Sequence, residues 1–197
     1  MAVGFPAKTT YANGDVFSAS DINDTNGTLN LTGWTLINTT SFSAVSSQSI
    51  TSIFNSTYDD YFVTIDFDTS TTAELRLRLR TTSDDTGSGT YQDHAYLMGS
   101  DGGSLNYANN GTAGYQRLTV YTGTYRAHVE FVMAGPNISG VQTNETGRFA
   151  YRGVYGVLFD GYMGMNTTTT TAYTGFTIYP DAGTITGKVR VYGMRTA

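Results

Sequence analysis

An antiparallel β-sandwich is the fold this sequence predicts, and three observations carry that expectation. The 197 residues include 34 threonines and 15 tyrosines but only two lysines and three glutamates. β-Branched and aromatic side chains suit a pleated, half-buried surface better than a helix. Short strand-like runs recur between Gly, Asn, Asp and Ser punctuation at about the 8–12-residue spacing of sandwiches and barrels. In the clearest runs only one face is apolar, the mark of an antiparallel sheet with one wet side.

Taken in order, residues 1–31 read as an N-terminal arm and 32–197 as the sandwich. In the arm, Ser20 precedes Asp21-Ile22-Asn23-Asp24, a capped helical turn with acidic residues in its first turn, and Gly27 and Asn30 keep it short. The expected strands are 33–42, 45–54, 60–68, 74–82, 91–98, 115–122, 125–134, 148–159, 173–180 and 184–194. Residues 61–68 and 74–80 have the firmest pattern: Val63, Ile65 and Phe67 alternate with Thr64, Asp66 and Asp68, and Leu75, Leu77 and Leu79 with Arg76, Arg78 and Arg80. They predict a hairpin with Phe67 facing Leu75, Ile65 facing Leu77 and Val63 facing Leu79 inside, and Asp66 facing Arg76 outside. Such cross-strand pairs contribute roughly 0.2–1 kcal/mol each. Tyr125, Ala127, Val129, Phe131 and Met133 make a second apolar face. Phe149, Tyr151, Tyr155, Val157 and Phe159 make a third, in which Gly153 and Gly156 mark a bulge or a close backbone approach.

Composition also excludes function classes. A net charge of −5 speaks against a phosphate backbone or an anionic membrane surface as partner, and no apolar run approaches the ~18 residues of a membrane span. With no cysteine there is no disulfide, thiolate ligand or cysteine nucleophile. His94 beside Asp93 and His128 beside Glu130 are the places where a histidine-centred site could form, but a polar histidine on a strand face is the simpler reading. Asp21–Gly27 fails as a calcium loop, because Thr25 stands at a ligand position and no Glu closes it. Gly183–Val189 is one residue short of a phosphate loop. Asp84-Asp85 before Gly87-Ser-Gly89 reads as a solvated turn. No cofactor, catalytic residue or metal ligand is predicted. Nine Asn-x-Ser/Thr sequons follow from a chain rich in Asn and Thr.

Two stretches, 58–91 (YDDYFVTIDFDTSTTAELRLRLRTTSDDTGSGTY) and 173–194 (YTGFTIYPDAGTITGKVRVYGM), together with the leader GFPAKTTYANGDVFSASDINDTNGTLN, resemble tail-fibre-like or appendage proteins on virions of tailed, marine and cyanobacterial podovirus-like bacteriophages. The resemblance implies a jelly-roll-like sandwich on the virion exterior, assembled in the bacterial host cytoplasm. It also implies a homotrimer, contacts with other tail or capsid proteins, and docking through the N-terminal arm. Phe5, Tyr11, Phe17 and Ile22 are the arm residues to which docking falls. The chain departs from a long fibre in having no heptads, collagen repeat or β-helix shaft.

The tyrosine surplus, with Asn, Gly and Ser, suits an adaptable contact surface, although tyrosines also fill strand edges. Loops 83–90, 99–114 and 135–147 are the expected receptor surface, where Tyr91, Tyr107 and Tyr115 would stack on host-surface polysaccharide. Three classes stay open: host attachment, capsid decoration that stabilises the particle, and glycan cleavage, the last disfavoured by so thin a catalytic inventory.

Overall fold

The computed structural model describes residues 34–120, 122–153 and 156–195, the side chains of 105–112 and 195 excepted. The arm with Phe5, Tyr11, Phe17 and Ile22, and the Asp21–Gly27 stretch, lie outside the described residues. There is no helix among the described residues. Twelve strands form two antiparallel sheets: β1 (Trp34–Val45), β2 (Gln48–Ile50), β3 (Tyr58–Thr69), β4 (Leu75–Arg80), β5 (Tyr91–Gly99), β6 (Ser104–Ala113), β7 (Gln116–Arg117), β8 (Ala127–Ala134), β9 (Asn144–Arg152), β10 (Leu158–Thr167), β11 (Gly175–Pro180) and β12 (Ile185–Arg195). The large sheet runs β1-β12-β3-β8-β9-β10-β5-β6 and the small one β2-β11-β4-β7. Their inner faces share one core, so the protein is an all-β sandwich.

The alternation read from the sequence places side chains correctly. Tyr61, Val63, Ile65 and Phe67 of β3 and Leu75, Leu77 and Leu79 of β4 are all fully buried. The expected hairpin, however, does not form. β3 pairs with β12 and β8 in the large sheet, whereas β4 pairs with β11 and β7 in the small one. A period of two fixes which side chains leave the water, and packing the two strands in opposite sheets over one core satisfies it as well as pairing them side by side. Asp66 consequently stands opposite Lys188 and His128, not Arg76. Arg76 instead donates to Glu74 at 2.8 Å and to Asp181 at 3.3 Å.

This difference is measurable by double-mutant cycles. Asp66→Ala combined with Arg190→Ala, whose guanidinium donates to Asp66 at 3.0 Å, should show a coupling of roughly 0.2–1 kcal/mol in urea melts, the range of exposed ion pairs. Asp66→Ala with Arg76→Ala should be additive. Coupling in the second pair and none in the first would restore the hairpin.

Four further elements differ from expectation. Residues 148–159 are not one bulged strand but the meeting of β9 and β10. Gly153 N–H donates to the Val157 carbonyl at 2.8 Å and Gly156 N–H to the Gly153 carbonyl at 2.9 Å. Gly156 has a φ of +76°, which a β-carbon would disfavour. Residues 99–114, expected as a loop for their Gly and Asn content, mostly form β6, held by its ladder to β5. Cross-strand pairing overrides weak intrinsic preference there. The expected strands 45–54 and 115–122 shrink to three and two residues.

Apart from the hairpins β5-β6, β8-β9 and β9-β10, every connection passes from one sheet to the other. The loop 83–90 ties the layers with side chains. Tyr173 Oη donates to Asp85 Oδ2 at 2.8 Å, and Thr177 Oγ1 donates to Asp84 Oδ1 at 2.6 Å. The described residues belong to one compact unit, Gly33–Thr196.

Candidate functional site

The outer face of the large sheet is the broadest patterned surface, and its layout follows from the register. One row across the strands reads Leu36, Tyr192, Phe62, Val132, Thr146, Gly164 and His94. The next reads Thr39, Arg190, Thr64, Glu130, Arg148, Tyr162 and Tyr96. The first is apolar on its β1 side, where the Phe62 ring lies 5.7 Å from Trp34 and 5.8 Å from Tyr192.

The second row borders a chain of charges. Arg190 Nη1 donates to Asp66 Oδ2 at 3.0 Å, and His128 Nδ1 lies 2.9 Å from Asp66 Oδ1. His128 Nε2 is 3.7 Å from Glu130, which forms an ion pair with Arg148 Nη2 at 3.1 Å. Partial burial works to raise the Asp66 carboxyl, but hydrogen bonds from His128 and Arg190 outweigh it and hold the group below its ordinary value. Asp66 is therefore a fixed anion that orients the His128 ring.

Two shallow depressions, of about 360 and 520 Å³, flank Arg148 and share Glu130 and Tyr162 in their walls. The first also has His128 and Asp160, the second Phe62 and Val132. Tyr162 is 64% exposed and its register partner Tyr96 is 41% exposed. Exposed aromatic rings beside fixed donors and acceptors can stack on an apolar ring face and hydrogen-bond the groups around it.

The tyrosines singled out from sequence fare differently. Tyr91 is fully buried, and this corrects its assignment to a receptor surface. Its hydroxyl accepts from the Leu79 N–H at 2.8 Å and donates to the Asp85 carbonyl at 3.1 Å. Burial pushes that hydroxyl far above its ordinary pKa. Tyr91 opens β5, and the inward side of the alternation claims it. Tyr107 stands in β6 opposite Ala95, and its side chain is outside the described ones. Tyr115 is half-buried on the small sheet's side, with the Arg76 guanidinium 4.2 Å from its ring centre and Arg117 at 5.9 Å. One ring face is thus already occupied by a cation.

His94 and Asp93 point to opposite faces, as neighbours in a strand must, with Asp93 buried and His94 exposed. His128 and Glu130 share a face, and the fold adds Asp66 from the neighbouring strand. Sequence reading missed Tyr96, Tyr162 and Arg148. In β5 and β10 both alternating sets contain apolar residues, so the pattern does not tell which set faces out.

A second titratable group lies in the interior. Glu145 on β9 accepts from the Gln116 amide of the opposite sheet. It lies beyond Met165 from Asp93 in the register. Burial raises Glu145 to about 8, the Gln116 hydrogen bond partly offsetting this and the Asp93 charge adding to it. Among the described residues, no group of three or more His, Cys, Asp or Glu side chains is arranged to hold a metal ion.

Compared with known proteins, the chain matches no family model, no curated protein and no solved structure.

Proposed function

We propose that the chain is a bacteriophage virion structural protein. It is a short, tail-fibre-like appendage on the particle exterior that docks by its N-terminal arm and displays the sandwich for attachment to host-surface glycan. The observation that carries this reading is the large sheet's outer face, where Tyr162 and Tyr96 stand exposed next to Arg148, Glu130, His128 and Asp160. Sugars present an apolar ring face and equatorial hydroxyls, which such a surface matches.

The strand order supports the reading at the level of architecture. With the hairpins β5-β6 and β9-β10 set aside, the sheets read β1-β12-β3-β8 and β2-β11-β4-β7. We read this order as that of a jelly roll, an architecture of viral capsid and lectin domains. That is analogy of fold, and the site must carry the function. The resemblance of 58–91, 173–194 and the leader to virion appendage proteins points the same way. The sandwich acts by binding and has no catalytic turnover in this reading.

Tyr96→Ala/Tyr162→Ala particles should assemble at the normal level and adsorb to host cells about tenfold more weakly, a loss of about 1.4 kcal/mol. The apolar row Leu36, Tyr192, Phe62 and Val132 favours capsid decoration as the second reading, since it would suit a protein lattice. Unchanged adsorption with particles that fall apart sooner under heat or low salt would replace attachment by decoration. Release of reducing sugar from host polysaccharide by the purified protein would overturn both.

A further inference from the structure

Of the four sheet edges among the described residues, β2 and β7 are three and two residues long, whereas β6 presents ten and β1 twelve. Among the described residues no strand pairs with the outer side of β1; such an edge is a row of N–H and C=O groups able to template another strand, and proteins ordinarily guard it with Lys, Pro, inward charges or bulges. β1, with the sequence WTLINTTSFSAV, has no charge and no Pro, and its two register breaks still leave Asn38–Phe42 as a regular stretch. No Asp, Glu, Lys or Arg occurs anywhere between Asp24 and Asp59, a run of 34 residues in a chain that carries 27 such groups. β1 and β2 both fall in that run and touch each other, so the two edge strands on this side of the described sandwich carry no charge.

We infer that the β1 edge is a self-association surface, on which β1 of a second copy of this chain adds antiparallel across a twofold axis and joins the two large sheets edge to edge. The occupant is a second copy because of symmetry and charge. A twofold edge pairing sets each residue against one from the same segment, so a charge on the axis would meet its own copy. This segment has none to meet. The register with β12 is broken between Leu36 and Asn38 and again between Phe42 and Val45. The regular stretch between the breaks, Asn38–Phe42, is centred on Thr40. An axis there places Thr40 opposite Thr40 of the partner subunit, and Thr39 opposite Ser41 of the partner subunit. Cross-strand Thr–Thr and Thr–Ser pairs are favourable. Trp34 and Leu36, both exposed at the end of β1, add apolar surface beside the seam. The pairing uses main-chain hydrogen bonds and needs no glycan, so it stands apart from the attachment reading.

Thr39 and Ser41 are both exposed and face Arg190 and Lys188 on β12. In Thr39→Glu/Ser41→Glu the new charges therefore meet cations within their own chain and like charges across the seam. Light scattering of the full chain at micromolar concentration should give twice 21.3 kDa. The double variant should melt no lower than the parent and associate at least about tenfold more weakly. Mixing it with Thr39→Lys/Ser41→Lys should restore the dimer as a heterodimer, and amide exchange at residues 38–42 should slow with rising concentration in the parent alone. A monomeric parent, or a trimer whose mass the double variant leaves unchanged, would overturn the inference.

Discussion

Leu77→Asp should leave no folded protein at 25 °C. Leu77 is fully buried on β4, directly opposite Ile178 of the central β11. Burying a leucine contributes about 1.5–3 kcal/mol, and the variant forfeits this. It also places a carboxylate among apolar side chains with no cation on the inner face of β4, since Arg76, Arg78 and Arg80 all lie on the other side. An unpaired buried charge costs several kcal/mol more, and the sum rivals the roughly 5–15 kcal/mol stability of a whole domain. Leu77→Ala, which only creates a cavity, should fold and lose about 2–5 kcal/mol. The check is a pair of urea melts followed by near-ultraviolet circular dichroism. A soluble Leu77→Asp protein with a parent-like melting midpoint would show that β4 does not face the core as described.

Glu145→Gln should make the protein more stable at pH 8, and the gain should vanish by pH 4. Glu145 stands at about 8 in the folded chain against an ordinary 4.5. Between those values the folded state holds a proton that the unfolded state has released, so stability falls as pH rises through this window. Each unit corresponds to about 1.4 kcal/mol, giving a difference of a few kcal/mol at pH 8. Glutamine keeps the shape and a hydrogen-bonding partner for Gln116 while removing the titration. Thermal melts of both proteins from pH 4 to 9 decide the matter: the parent should lose ground relative to the variant with every step upward from about pH 5. A variant less stable than the parent at pH 8, or a constant difference across the series, would mean that Glu145 is ionised and compensated inside the sandwich.

The same two residues show what a sequence can carry. Leu77 was legible because a strict alternation names its face whatever the strand pairs with. Glu145 was not, because the expected strand began at residue 148, and only the extension of β9 back to Asn144 carries the inward face of Phe149 and Tyr151 on to Glu145. The pairing of β9 with β8, which puts Glu145 opposite the buried Met133, makes it an interior acid. Among the tyrosines, chain position next to a Gly-rich loop suggested exposure for Tyr91, yet strand parity buried it. Tyr162, in a stretch that the sequence left without a strand, turned out to be the most exposed large apolar side chain described.

By itself the sequence determined the all-β class, the inward sets of β3, β4 and β8, and the thin supply of catalytic groups. These depend on composition and on a local period of two, both of which are written along the chain. Only the tertiary structure decided that β3 and β4 belong to different sheets, that Asp66 meets His128 and Arg190, and that Tyr96 and Tyr162 come together on one outer face. Partner choice in a sheet rests on backbone hydrogen bonds that every residue offers alike. It is settled by how two layers close over a shared core and not by any residue pair visible in order along the chain.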